Sequence, residues 1–175
     1  LLAFHKPAGI VCTTSKIDKN NVIDYLNFPE RIYPVGRLDK ESTGLLLLTN
    51  NGQLMDDVLR GSNYHEKEYI VHVNKPITDS VLQAMAQGVP ILDTITRPCK
   101  IRRMGKDCFY ITLTQGLNRQ IRRMCEYFDY RVTSLKRIRI MNIELGSLPV
   151  GKWRELTPSE IKTLKNLAQN KGEAE

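Results

Sequence analysis

The sequence predicts an α+β fold built on a mixed, mainly antiparallel sheet. Short apolar and alternating runs outnumber helical patterns, so strands should outnumber helices. Successive strand candidates are joined by turns or short helices, which argues against a doubly wound parallel sheet. The longest apolar run, Leu45 to Leu48, has the length of a buried strand and is far too short to span a bilayer. The 175 residues suffice for one domain with a buried core, with room for two lobes sharing a cleft.

In chain order, residues 1–14 read as a strand broken by Pro7-Ala8-Gly9 and resumed at Ile10-Val11-Cys12. A short helix fits Val22 to Leu26, stopped by Pro29. Residues 31–43 have little apolar periodicity and read as an ordered loop, followed by a buried strand over 45–49 and a turn at Asn50-Asn51-Gly52. Helical spacing of Leu54, Val58 and Leu59 predicts a helix over 53–59. Residues 66–74 alternate, placing Lys67, Tyr69, Val71 and Val73 on one strand face.

A helix over 78–87 carries Val81, Leu82 and Met85 and ends at Gly88. Strands at 101–104 and 108–114 flank Gly105-Lys106-Asp107, a hairpin turn. Asn118 is the expected N-cap of a helix reaching about Phe128, and residues 132–145 return to strand. Thr157-Pro158-Ser159-Glu160 combines a capping box with proline at the first helical position. The domain should run over 1–169, with a disordered polar tail over 170–175.

The net charge of +7 is unevenly placed. Residues 97–139 hold 12 Lys or Arg against 3 Asp or Glu, while the remainder is slightly acidic. Such concentration suits a polyanion, with nucleic acid first. The four cysteines form no Cys-x-x-Cys pair and the three histidines are scattered, so no metal is expected. Buried reduced thiols and a cytoplasmic location follow as expectations. Gly9, Gly36 and Gly44 make no phosphate-loop or dinucleotide fingerprint, which leaves nucleotide cofactors unsupported.

Three places could carry chemistry. Asp39 sits in the glycine-bounded segment 36–44 ahead of the buried strand, where Arg37 and Lys40 would keep its carboxylate ionised. On the helix after Asn118, the residues Ile121, Met124, Cys125 and Phe128 face the core. Arg119 and Arg123 then point outward to phosphates, and Arg122 falls at the border, able to pair with a carboxylate. Tyr69 should point inward from its strand, either as core or as a platform for an extruded base. Taken singly, a mixed-charge loop, a solvated basic face and a core aromatic would explain each of the three.

Together, however, Gly36-Arg37-Leu38-Asp39-Lys40-Glu41-Ser42-Thr43-Gly44, His5-Lys6-Pro7-Ala8-Gly9, Lys67-Glu68-Tyr69 and Gly116-Leu117-Asn118-Arg119-Gln120-Ile121-Arg122-Arg123-Met124 resemble motifs of the RsuA-like pseudouridine synthases. The resemblance implies the pseudouridine synthase fold, with two lobes flanking a catalytic cleft, and isomerisation of a specific uridine without metal or organic cofactor. Asp39 would be the catalytic aspartate, Tyr69 the stacking tyrosine, Arg122 the basic partner of Asp39 and Leu113 the apolar pocket residue. Arg37, Lys67, Asn118, Arg119 and Arg123 would contact substrate.

His5 stands where asparagine is common, and Leu117 replaces a common arginine, a detail similar to the F-type branch of the enzymes that modify large-subunit ribosomal RNA. The implied partner is RNA, specifically 23S ribosomal RNA or a ribosomal assembly intermediate; no membrane is expected, and a monomer is the simplest expectation for an oligomeric state the sequence leaves open. The chain opens Leu1-Leu2 without methionine, which suggests a fragment lacking the small N-terminal RNA-binding domain usual in the family. Two other readings compete: a non-catalytic RNA-binding module, and a glycosidase using Asp39 and Glu41 as paired carboxylates.

Overall fold

The structure, a computed structural model, describes residues 1–54, 56 and 65–169. The four-leucine run lies in strand β3 (Thr43–Thr49), and β1 (Leu2–Lys6) pairs with it along one edge. All four leucines are fully buried. Leu45 and Leu47 pack with Ala3, Ile143, Leu156 and Leu164, whereas Leu46 and Leu48 pack with Leu2, Phe4, Val22 and Leu38. A strand covered on both faces has no need to alternate, which is why it reads as a continuous apolar run.

Between β1 and β3, α1 (Val22–Leu26) is capped by the Asn21 side chain, which accepts from the Asp24 amide. It ends at Asn27 in the left-handed conformation, ahead of Pro29. The segment expected to be loop contains β2 (Tyr33–Val35), which pairs with the C-terminal part of β3. The expected resumption of strand at Ile10 to Cys12 is only a single bridge from Val11 to Asn21. Of the helix expected over 53–59, residues 52–54 and 56 are helical, while Val58 and Leu59 lie outside the described residues. The tail at 170–175 also lies outside them.

The second half supplies β4 (Lys67–Val73), α2 (Asp79–Gln87), the small hairpin β5 (Pro90–Ile91) and β6 (Thr94–Ile95), β7 (Lys100–Arg103), β8 (Cys108–Leu113), and α3 (Gln120–Tyr127). β9 (Val132–Ile140) then reverses at Met141 into β10 (Ile143–Glu144), followed by β11 (Trp153–Glu155) and α4 (Pro158–Gln169). The single strand expected over 132–145 is therefore two antiparallel strands. β5, β6 and β11 were not anticipated. Thr157 and Glu160 do form the reciprocal capping box that starts α4. Arg154 holds both Glu160 oxygens, and that bidentate pair pulls the Glu160 carboxyl down to about 2.

The main sheet runs β11-β1-β3-β9-β4-β8-β7, with β2 and β10 added to β3 and β9. Among the described strand pairs only β3 and β9 are parallel, so the sheet is mixed and mainly antiparallel as expected. This parallel seam joins the two halves of the chain. Gly44 makes it possible: a Cβ there would stand 2.6 Å from the Arg137 amide nitrogen, and φ is +110°. Beyond the seam, Val71, Phe109, Ile111, Met85, Met124 and Cys125 form a second core between the sheet and the helices α2 and α3.

Candidate active site

The turn between β2 and β3 carries Asp39 to the seam. Leu38 is buried and anchors the turn from below, and the Ser42 amide donates to the Asp39 carbonyl at 3.0 Å. Two buried cations hold the turn by its carbonyls. The Lys6 ammonium donates to Pro7, Lys40 and Ser42 at 2.7, 3.2 and 2.8 Å. Arg137 donates from Nη1 to the Arg37 carbonyl at 3.2 Å and from Nε to the Leu45 carbonyl at 2.8 Å. Neither role was legible in the sequence, where Lys6 read only as part of a motif and Arg137 only as one more basic residue.

Asp39 faces a cavity of about 670 Å³. Its wall includes Arg37, Asp39, Lys67, Tyr69, Leu113, Asn118, Arg119 and Arg122, so the structure brings together every singled-out site residue except Arg123. Arg123 instead folds back on Asn118, donating to its carbonyl and its side-chain oxygen at 2.9 Å each. Arg97, Gln115, Gln120, Leu135 and Arg137 also line the wall and were not anticipated.

The cations beside Asp39 are Arg119 and Arg122, each 3.7 Å from Oδ2, rather than the sequence neighbours Arg37 and Lys40. Arg122 is nearly buried, and its Nη2 donates to the buried Ser42 hydroxyl at 3.1 Å. That bond fixes the guanidinium against the turn, as its border position on the helix suggested. Arg119 is half exposed at the mouth and also reaches Glu41 at 3.4 Å. Glu41 points into solvent and does not line the cavity, so the two carboxylates do not face each other across a substrate.

Asn118 is not the N-cap of α3. Arg119 holds that position in the left-handed conformation and makes no side-chain cap. The preceding loop is organised by a buried amide instead. Gln120 accepts from the Leu117 amide at 3.1 Å and donates to Gln115 at 3.2 Å, and Gln115 accepts from the Arg97 amide at 3.0 Å. The only signal for this was a glutamine four residues before Met124, on the apolar side of the helix.

Tyr69 is aimed by an irregularity in the sheet. The register between β4 and β9 shifts between Glu68 and Tyr69, which sets Tyr69 opposite Arg137 and leaves it half-buried between the two cores. Bulges next to sites re-aim side chains in this way. Lys67, two residues earlier, is mostly enclosed, and burial together with the Arg137 charge lowers its amine to about 8. The thiols of Cys99 and Cys125 are pushed up by burial, to about 11 and about 12, and stay inert.

Known proteins resemble this chain over nearly its whole length. The chain is 53% identical over 169 residues to the dual-specificity RNA pseudouridine synthase RluF of Salmonella typhi, covering 97% of this chain and 58% of the relative. It is 34% identical to the ribosomal large subunit pseudouridine synthase B of Bacillus subtilis, covering 95% of this chain and 71% of that protein. A solved pseudouridylate synthase superposes with a TM-score of 0.84 at 30% identity, over 93% of this chain and 72% of the other. The chain thus spans just under three-fifths of the length of its RluF relatives, and the likeness to the F-type branch read from Leu117 is borne out. Residues 1–127, with Asp39, Tyr69 and Arg122 among them, match the family model for RNA pseudouridylate synthases, and the chain belongs to that family.

Proposed function

We propose that this chain isomerises a uridine to pseudouridine in structured RNA, with 23S ribosomal RNA or a ribosomal assembly intermediate as the target. The observation that carries the proposal is a carboxylate, Asp39, held between Arg119 and Arg122 at a cavity that also presents Tyr69. Asp39 attacks the extruded nucleoside and the C1′–N1 bond breaks. The freed ring turns and C5 rejoins C1′ as the C1′–Asp39 bond breaks and releases the carboxylate; the C5 proton then leaves to water and N1 takes one up. Tyr69 and Leu113 flank the ring, Arg122 fixes the carboxylate, and Arg119 with Arg37 and Asn118 meets the RNA at the mouth. Arg123 contributes by bracing Asn118 rather than by touching the base. The protein acts as a monomer in the cytoplasm on this reading. The RluF relatives are dual-specificity RNA pseudouridine synthases, and on this reading the chain shares that dual specificity.

The test uses ribosomal RNA from cells lacking the endogenous enzyme, incubated with the chain or with its Asp39→Asn variant. Pseudouridines are then mapped by carbodiimide modification and primer extension. A new stop produced only by the unsubstituted chain is expected. A stop from both forms would remove Asp39 from the mechanism. No stop from either, with RNA still bound, would favour a non-catalytic binding module.

A further inference from the structure

Of the cations on the cavity wall, Asp39 pairs with Arg119 and Arg122 alone, and Lys67 and Arg137 stand out among the rest. Arg119 and Arg122 lie beside that carboxylate, but Lys67 and Arg137 form no ion pair with any described carboxylate. The glutamates flanking Lys67 are taken elsewhere: Arg139 holds Glu66 and Glu68 at 3.2 Å each. Arg137 is only 3% exposed, and after serving two carbonyls its Nη2 is left buried without a hydrogen-bond partner. The Lys67 ammonium stands 3.9 Å from where a Cβ on Gly116 would be, and apart from the adjoining residues no other described atom lies within 4 Å of that point. The charged tip therefore borders open space, kept clear by a glycine.

Lys67 and Arg137 line the same wall, and their like charges repel each other. The repulsion shows in the lowered amine of Lys67, caused first by burial and then by Arg137. An incoming anion would relieve it. The remaining charged groups on the wall are Arg37, Asp39, Arg97, Arg119 and Arg122, so the site is strongly electropositive around a single carboxylate. Leu113, Leu135 and Ile121 line the same cavity and suit a flat, weakly hydrated ring better than a hydrated phosphate.

We infer that Lys67, backed by Arg137, forms an oxyanion subsite that holds the detached uracil while it turns. The inference rests on the proposed function. When C1′–N1 breaks, the electron pair leaves with the base, which becomes an anion delocalised over N1 and the ring oxygens. Lys67 donates to one of those oxygens. When C5 returns the pair to C1′ the C1′–Asp39 bond breaks and the negative charge passes to the released carboxylate; the C5 proton is then lost to water while N1 gains one, leaving the ring neutral. Lys67 touches the substrate and is catalytic, whereas Arg137 positions it and sets its charge.

The test needs no RNA in its first arm. Barbiturate is a planar pyrimidine anion at neutral pH, and uracil is its neutral counterpart. Lysine labelled with carbon-13 at Cε reports the titration of Lys67 by NMR, assigned through Lys67→Arg. In the free chain the midpoint is expected at about 8. Saturating barbiturate should raise it by about one unit or more, and uracil should leave it unmoved. Inorganic phosphate acting as well as barbiturate would reassign the subsite to the RNA backbone and overturn the inference.

The second arm measures pseudouridine formation in a single turnover. Lys67→Met should slow it about 100-fold, with partial recovery in Lys67→Arg. A Lys67→Met chain at the unsubstituted rate, or a midpoint indifferent to barbiturate while RNA is still converted, would defeat the subsite alone. An unsubstituted chain that converts no RNA would defeat the proposed function and, with it, this assignment to uracil.

Discussion

Arg119 occupies the N-cap of α3 with φ 48° and ψ 39°, a conformation that costs an L-residue about 1 kcal/mol and that glycine adopts freely. Strain of this kind at a cavity mouth is consistent with a side chain retained for its charge. Arg119→Gly should leave the melting temperature unchanged or raise it, by up to about 1 kcal/mol in stability, while weakening RNA binding several-fold in a filter assay. A clear loss of stability would instead mean that the pairs with Asp39 and Glu41 outweigh the strain. At this scale Asp39, Tyr69 and Arg122 were legible because each sits in a local motif with a chemically suitable side chain. Lys6 and Arg137 were not, because their meaning lies in carbonyls 36 and 92 residues away in the chain. Nothing local distinguishes a lysine that braces the Asp39 turn from one that ends a strand.

Among the elements, those specified by local chemistry matched expectation. Helix α4 follows its capping box, α2 runs between Thr78 and Gly88, and the β7–β8 hairpin turns where Gly105-Lys106-Asp107 stands. The β5–β6 hairpin was missed because its turn uses Leu92 and Asp93 at φ 49° and 60°, residues that give no glycine signal. β9 and β10 read as one strand because the reversal falls at Met141 and Asn142, an ordinary pair in sequence. The seam between β3 and β9 is the least tolerant point. Gly44→Ala would drive a methyl group into the Arg137 backbone at a φ that alanine disfavours. We expect a loss of at least about 3 kcal/mol, measured as a lowered midpoint in urea. Activity should also fall, since the Asp39 turn is tethered to Arg137 through the Arg37 carbonyl. An unchanged midpoint would mean that the two strands separate without cost.

Over the whole molecule, the basic excess between residues 97 and 139 divides into two uses once folded. Arg97, Arg119, Arg122 and Arg137 converge on the cavity, whereas Arg103, Arg123 and Arg139 are taken up by Asp79, Asn118 and the Glu66–Glu68 pair. RNA affinity should therefore fall with salt, with a slope of log K against log salt of about −3 or steeper, measured by fluorescence anisotropy. A flat response would exclude the cationic wall as the RNA contact. Apolar rhythm, turn residues and caps act over a few positions, and from them the sequence by itself determined the α+β class, most helices and the central buried strand. Its ordered motifs likewise pointed to the family and to Asp39. Only the tertiary structure decided which cations meet that carboxylate, because a parallel pairing of strands far apart in the chain sets Asp39 against a helix that begins some eighty residues later. It also decided that Lys67 and Arg137 line one cavity wall with no ion pair among the described residues, since burial and pairing are properties of the fold and leave no trace in residue order.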